Sequence, residues 1–326
     1  MDSIPSYPQD MQDALDKFGR EAEQIITSFR KKLDLQKQPP IIYHYTDDVG
    51  LRGILETGQL WLTDIFNLND PSELNHGFTR AIEVLNSLVV NGPPESKAFA
   101  RQLTYLSEQK GIQGSAEFFV CSFSSCGDDL GQWRAYADNG RGYAVGFDAE
   151  ALGCGFVNGQ TTIPNSEVSY AATFPITYKD AELARIHRKI IEKMLGLVSL
   201  PHGRNLQDAA IKSYIRELSV SFMTHTIHAA LFFKHEAYNN EQEHRFLEVY
   251  SAAAPPSKMK LRSRPYSLIK YKEFDWRSVA AKALRQIVVG PAADHTKASQ
   301  FARDCLRSFH PETVPINCSV IPYRAV

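Results

Sequence analysis

The spacing of apolar residues divides the chain into helical and extended stretches. Residues 8–36 carry Met11, Leu15, Phe18, Ala22, Ile25, Ile26 and Phe29 at helical intervals, with acids early and Lys or Arg late. That pattern predicts one long amphipathic helix, with Pro39-Pro40 closing the segment. Ile41 to Thr46 reads as a short apolar strand, followed by a compact helix stopped at Gly58 and a second strand through Leu60 and Leu62. Alternation along the first strand puts His44 and Thr46 on one face where it ends.

In Asn69-Asp70-Pro71-Ser72-Glu73, Asp70 or Ser72 can cap a helix running to about Val90. Gly92-Pro93-Pro94 breaks it, and a further helix reaches about Lys110. Residues 117–125 and 142–148 alternate as strands, joined by a short helix or wide turn that holds Trp133, Arg134 and Tyr136 and ends in Asp138-Asn139-Gly140. Residues 151–178 read as loops and short strands, 180–199 and 205–236 as helices, and 241–250 as a strand. A surface loop at 251–260, a strand at 284–289, a helix over 295–309 and a strand at 317–323 complete the pattern. Strands and helices mix without βαβ regularity, so the predicted class is α+β. The expected organisation is a helical extension over 1–39 and a single domain over 40–326 with a helical insertion at about 180–236.

Composition narrows the function classes. The 326 residues are 43% hydrophobic and 22% charged, enough for a sizeable core. Thirty-six Lys and Arg against 37 Asp and Glu leave no basic excess of the kind that marks a nucleic-acid or anionic-membrane binder. The chain starts without a basic leader, and no run approaches the roughly 20 apolar residues that span a bilayer, so a cytoplasmic protein is expected. Cys121, Cys126, Cys154, Cys305 and Cys318 form no Cys-x-x-Cys pair and read as reduced thiols.

Candidate chemistry is dispersed. Glu241 and Glu243, two apart on a predicted strand, share a face with Arg245. Carboxylates so placed are exposed, neutralised by the arginine, or used to stabilise positive charge. Trp133 and Tyr136 either pack a core or stack on a ligand ring. His202, His225, His228, His235 and Glu236 complete no metal set, and no metal is expected. There is no Walker loop, dinucleotide Gly-rich turn or nucleophile elbow.

Three blocks together carry a resemblance. They are Tyr43-His44-Tyr45-Thr46 with Gly53-Ile54-Leu55, Leu60-Trp61-Leu62 and Asn69-Asp70-Pro71; Cys121-Ser122-Phe123-Ser124 with Trp133, Tyr136 and Gly142-Tyr143; and Lys234 with Glu241-x-Glu243-x-Arg245. Over about residues 40–290 they resemble the bacterial domain of unknown function 2971. More distantly, the opening strand and helix look like the start of ADP-ribosyltransferase-like folds, including the RNA 2′-phosphotransferases and DNA-modifying toxins. That likeness implies a split, twisted, mainly antiparallel sheet with flanking helices, and NAD as a substrate without metal. It implies His44 and Thr46, with Tyr45 between them, on an NAD ribose; Ser122, Ser124 or Tyr143 beside the nicotinamide; and Glu243, supported by Glu241, at the nicotinamide ribose. Asn69, Asp70, Trp133, Tyr136 and Arg245 complete the expected cofactor-binding set.

The expectation is an enzyme that moves ADP-ribose to a protein, RNA or DNA acceptor, consistent with a toxin or antiviral-defence role. It has no membrane partner, and its N-terminal helix is available for an oligomer or a partner protein. Two alternatives differ in class: a non-catalytic nucleotide-sensing or protein-interaction module, and a nucleic-acid hydrolase using Glu241, Glu243 and His244.

Overall fold

The computed structural model describes residues 7–34, 39–68, 73–108, 116–161, 168–251, 256, 258–310 and 312–325. In chain order its first elements are α1 (Gln9–Asp34), β1 (Ile41–Thr46), α2 (Asp48–Thr57), β2 (Gln59–Asp64), α3 (Glu73–Val89), α4 (Pro94–Glu108) and β3 (Ala116–Ser124). Then come α5 (Leu130–Tyr136), β4 (Tyr143–Asp148), α6 (Ala149–Thr161), β5 (Val168–Pro175), α7 (Asp180–Val198) and α8 (Asp208–Ala230). The chain finishes with β6 (Glu243–Ser251), β7 (Lys260–Arg264), β8 (Ser267–Asp275), α9 (Trp276–Ala280), β9 (Leu284–Val289), α10 (His295–Phe309) and β10 (Ile316–Cys318).

The chain divides into two units. One consists of Met1–Gln36, Asp70–Ser115 and Thr177–Glu236 and is helical. Its α1 packs on α7 and α8 and buries Met11, Leu15, Phe18, Ala22, Ile26 and Phe29, so the apolar stripe read from the sequence is covered within the chain. Phe18 meets His225 edge-on at 5.7 Å, and Phe29 stacks on Phe233 at 5.1 Å. His225 bonds its own helix at the Ser221 carbonyl while His228 pairs with Glu23, so these histidines serve packing. Among the described residues no group of three or more His, Cys, Asp or Glu could hold a metal ion, and no helix is long and apolar enough to cross a membrane.

The other unit consists of Lys37–Asn69, Ala116–Ile176 and Ala237–Val326 and carries an open, mostly antiparallel sheet of ten strands among the described residues. Asp47 caps α2 through the Gly50 N–H, and Gly58, at φ 69°, closes it in the left-handed conformation a glycine adopts cheaply. β3 organises the sheet. One of its edges pairs with β6 along its whole length, from Ala116↔Ser251 to Ser124↔Glu243. Its other edge is shared: β1 joins it at Tyr43↔Ser124, whereas β2 joins it at Thr63↔Val120 and Asp64↔Phe119. Between these points β1 and β2 diverge, and the sheet forks beside Cys121, Ser122 and Phe123. β4, β9 and β10 extend one prong; β8 and β7 extend the other.

The main core of this unit fills one face of the sheet, where Ile42, Phe123, Val145, Phe147 and Phe246 pack with α2, α6, α9 and α10. β9 and β10 form a parallel pair joined through α10.

The sequence pattern needs four corrections. Residues 149–161 form a helix, where loops and short strands were expected over 151–178; the short strand at 168–175 agrees with that reading. Gly153, Gly155 and Gly159 weaken the helical signal, but α6 lies close to α9: a Cβ on Gly155 would come within 3.0 Å of the Val279 side chain. Tertiary packing thus overrides propensity. β7 and β8 form a hairpin in a stretch whose charged positions and Pro265 hide the alternation. The last strand is only Ile316–Cys318. Finally, Glu241 is not on a strand. It ends a 3₁₀ turn over Glu236–Glu241, and Gln242 follows at φ 44°, so the extended backbone starts at Glu243.

Candidate functional site at the fork of the sheet

The fork leaves backbone groups on β3 without ladder partners, and side chains take them. His44 Nδ1 lies 3.1 Å from the Ser122 carbonyl oxygen. Burial lowers the His44 pKa, the Ser122 bond opposes that shift, and the charge of Arg262 adds to it. The ring is therefore neutral, its Nδ1–H donates to Ser122, and Nε2 is left as an acceptor. The ring also packs edge-on against Phe123 at 5.7 Å, with Cys121 Sγ 4.0 Å from Nδ1. Burial, reinforced by Glu243, pushes the Cys121 thiol up to about 12, which keeps it protonated and inert as a nucleophile.

Glu243 lies on the other side of Ser122. The Ser122 hydroxyl donates to Glu243 Oε1 at 2.7 Å, and Arg245 Nε donates to the same oxygen at 2.9 Å. Glu243 and Arg245 are only 4% and 1% exposed, while Ser122 is exposed. The carboxylate is thus fixed beneath a hydroxyl that faces solvent. Pairing rows put Tyr43, Ser122, Ser124, Glu243 and Arg245 on one face, and His44, Thr46, Phe123 and Tyr143 on the face of the main core. His44 and Glu243 therefore reach Ser122 from opposite faces, the histidine at its backbone and the glutamate at its side chain.

The other expected residues are engaged within the fold, and Thr46, Trp133 and Tyr143 do not face the Ser122 hydroxyl. Ser124 is buried and occupied by the turn, donating to the Glu241 carbonyl at 2.8 Å and accepting the Cys126 N–H at 3.1 Å. Glu241 Oε1 accepts the Tyr136 hydroxyl at 2.9 Å. Trp133 is fully buried, with Nε1 on Asp128 at 2.7 Å and the Tyr45 ring edge-on at 4.8 Å. Tyr45 donates to the Cys126 carbonyl at 2.8 Å. Tyr143 is buried on the core face with its hydroxyl on the Ala298 carbonyl, and Thr46 closes against Gly50 at the start of α2. Asn69 and Asp70 lie outside the described residues.

Three further residues at the fork were not among the expected site residues. Thr63 and Trp61 on β2 share the Ser122 face by their register with β3, and Arg262 on β7 reaches them, with Nη2 donating to Thr63 Oγ1 at 3.1 Å and the guanidinium 5.4 Å from the Trp61 ring centre. The alternation of Leu60-Trp61-Leu62-Thr63 signals that Trp61 and Thr63 point together. Nothing local signals Arg262, because its approach depends on the hairpin.

Residues 132–246 match the family model described as protein of unknown function (DUF2971), which supports the likeness to that family. The matched span holds Trp133, Tyr136, Tyr143, Glu241, Glu243 and Arg245; His44 and Ser122 lie outside it. The chain matches no curated protein and no solved structure.

Proposed function

We propose that the fork is the active site of an ADP-ribosyltransferase-like fold and that the protein transfers ADP-ribose from NAD to a macromolecular acceptor. The observation that carries this reading is the Ser122–Glu243–Arg245 cluster, a carboxylate held rigid beneath an exposed hydroxyl whose backbone carbonyl a neutral histidine holds from the opposite face.

When the bond between nicotinamide N1 and ribose C1′ breaks, its electron pair leaves with the nicotinamide. The sugar gains oxocarbenium character, which a preorganised anion stabilises more than it stabilises the ground state. An acceptor nucleophile then bonds to C1′ and loses its proton. Ser122 relays the carboxylate's charge toward the sugar. His44 fixes the Ser122 carbonyl and so positions that hydroxyl. No metal is required for these steps.

One observation favours a second reading, a nucleotide-binding module without turnover: Glu243 is already neutralised by Arg245. Kinetics separate the two. On the enzyme reading, Glu243→Gln lowers kcat for NAD cleavage by about 100–1000-fold with little change in NAD affinity. Ser122→Ala lowers it less, and His44→Ala, which loosens Ser122, lowers kcat to a similar extent. On the module reading NAD binds but the wild-type chain gives no turnover that these substitutions alter.

A further inference from the structure

Most cations of the β7–β8 hairpin meet a carboxylate among the described residues. On the β7–β8 hairpin Lys260 pairs with Glu273 at 2.7 Å, Lys270 with Glu117 at 2.8 Å and Lys272 with Glu248 at 3.3 Å. Arg264 donates to the Asn67 carbonyl at 3.1 Å. Arg262 has no carboxylate partner among the described residues, although it is half-buried. Among the described residues its guanidinium makes one hydrogen bond, to Thr63 Oγ1, and lies over the face of Trp61, and its buried Nε has no acceptor there.

A guanidinium offers five N–H groups in a fixed fork, and leaving them unmatched away from water is costly. Burial and the neighbouring Arg264 both lower the Arg262 pKa. Trp61, 44% exposed, keeps an aromatic surface open beside it, and the ring's face satisfies the charge but none of the N–H groups. An oxyanion with two oxygens in the plane of the fork would satisfy these N–H groups, which is the geometry of a phosphate.

We propose that Arg262, Thr63 and Trp61 form an anion subsite that takes the phosphate of a nucleotide ligand. Thr63 faces Val120, and Ser122 lies two residues farther along β3 on the same face, diagonal to Thr63 at about 7–8 Å. A ribose at Ser122 can therefore direct its 5′ phosphate along this face toward Thr63 and the guanidinium that bonds it. The nucleotide identity of the ligand rests on the function proposed above; the preference for an anion rests on the surroundings of Arg262 alone.

The test uses the full chain and inorganic pyrophosphate and ADP-ribose as probes, titrated calorimetrically. Wild-type protein is expected to bind both. Arg262→Gln should weaken pyrophosphate by roughly 10–100-fold, the usual worth of a charge-assisted bond. Arg262→Lys should fall between, since it keeps the charge without the fork, and thermal unfolding checks that both variants fold. Pyrophosphate binding that depends on Arg262 in a protein that does not cleave NAD upholds the subsite while rejecting the enzyme. Absence of pyrophosphate binding by the wild type, or equal affinity in Arg262→Gln, overturns the subsite whatever the fate of NAD.

Discussion

Glu243 and Arg245 form an ion pair at 2.9 Å that is almost fully buried on β6, which β3 and β5 flank on either side. A buried pair is costly to break: Arg245→Met should destabilise the protein by about 3–5 kcal/mol, and the double variant with Glu243→Leu by less, as a double-mutant cycle in urea will show. Two buried histidines tie stability to pH. Burial lowers His187 and His244 to about 4, and each has an Nδ1 without a partner. Below about 6.5 the unfolded chain takes up protons that these sites refuse. Stability is therefore complete above that pH and falls as pH drops from 6.5 toward 4, by about 3 kcal/mol for each histidine. His187→Phe should flatten the acid limb of the unfolding free energy measured against pH; an unchanged slope would reject the assignment.

Elements with strong periodicity follow the sequence closely. α1 was expected from 8 to 36 and runs Gln9–Asp34, because its seven-position apolar stripe has no competing pattern. Its burial against α7 and α8 predicts that Phe18→Ala costs about 3–5 kcal/mol in chemical unfolding, the usual loss for a large core side chain. α6 and the β7–β8 hairpin were illegible for opposite reasons. Glycines that permit close packing blur α6, and charges on both faces of an edge hairpin blur β7 and β8. The fork itself is invisible locally: the first strand announces His44 and Thr46, yet only the competition of β1 and β2 for one edge of β3 turns the histidine onto Ser122. Glu241 shows the limit of strand alternation, since a single residue at positive φ, Gln242, takes it off the strand.

Across the whole molecule, a near-balanced charge gives no long-range attraction for nucleic acid, so the ligand preference has to come from local groups. The fork concentrates them: a rigid carboxylate, an exposed hydroxyl, a neutral histidine and an arginine without a carboxylate partner among the described residues lie around one stretch of β3. We propose that these groups break the nicotinamide–ribose bond. Nicotinamide release from NAD by the purified chain tests this, with protein, RNA and DNA supplied as acceptors and Glu243→Gln run in parallel. The account predicts release by the wild type that falls about 100–1000-fold in Glu243→Gln; equal release by the two proteins, or none by the wild type with any acceptor, would contradict it.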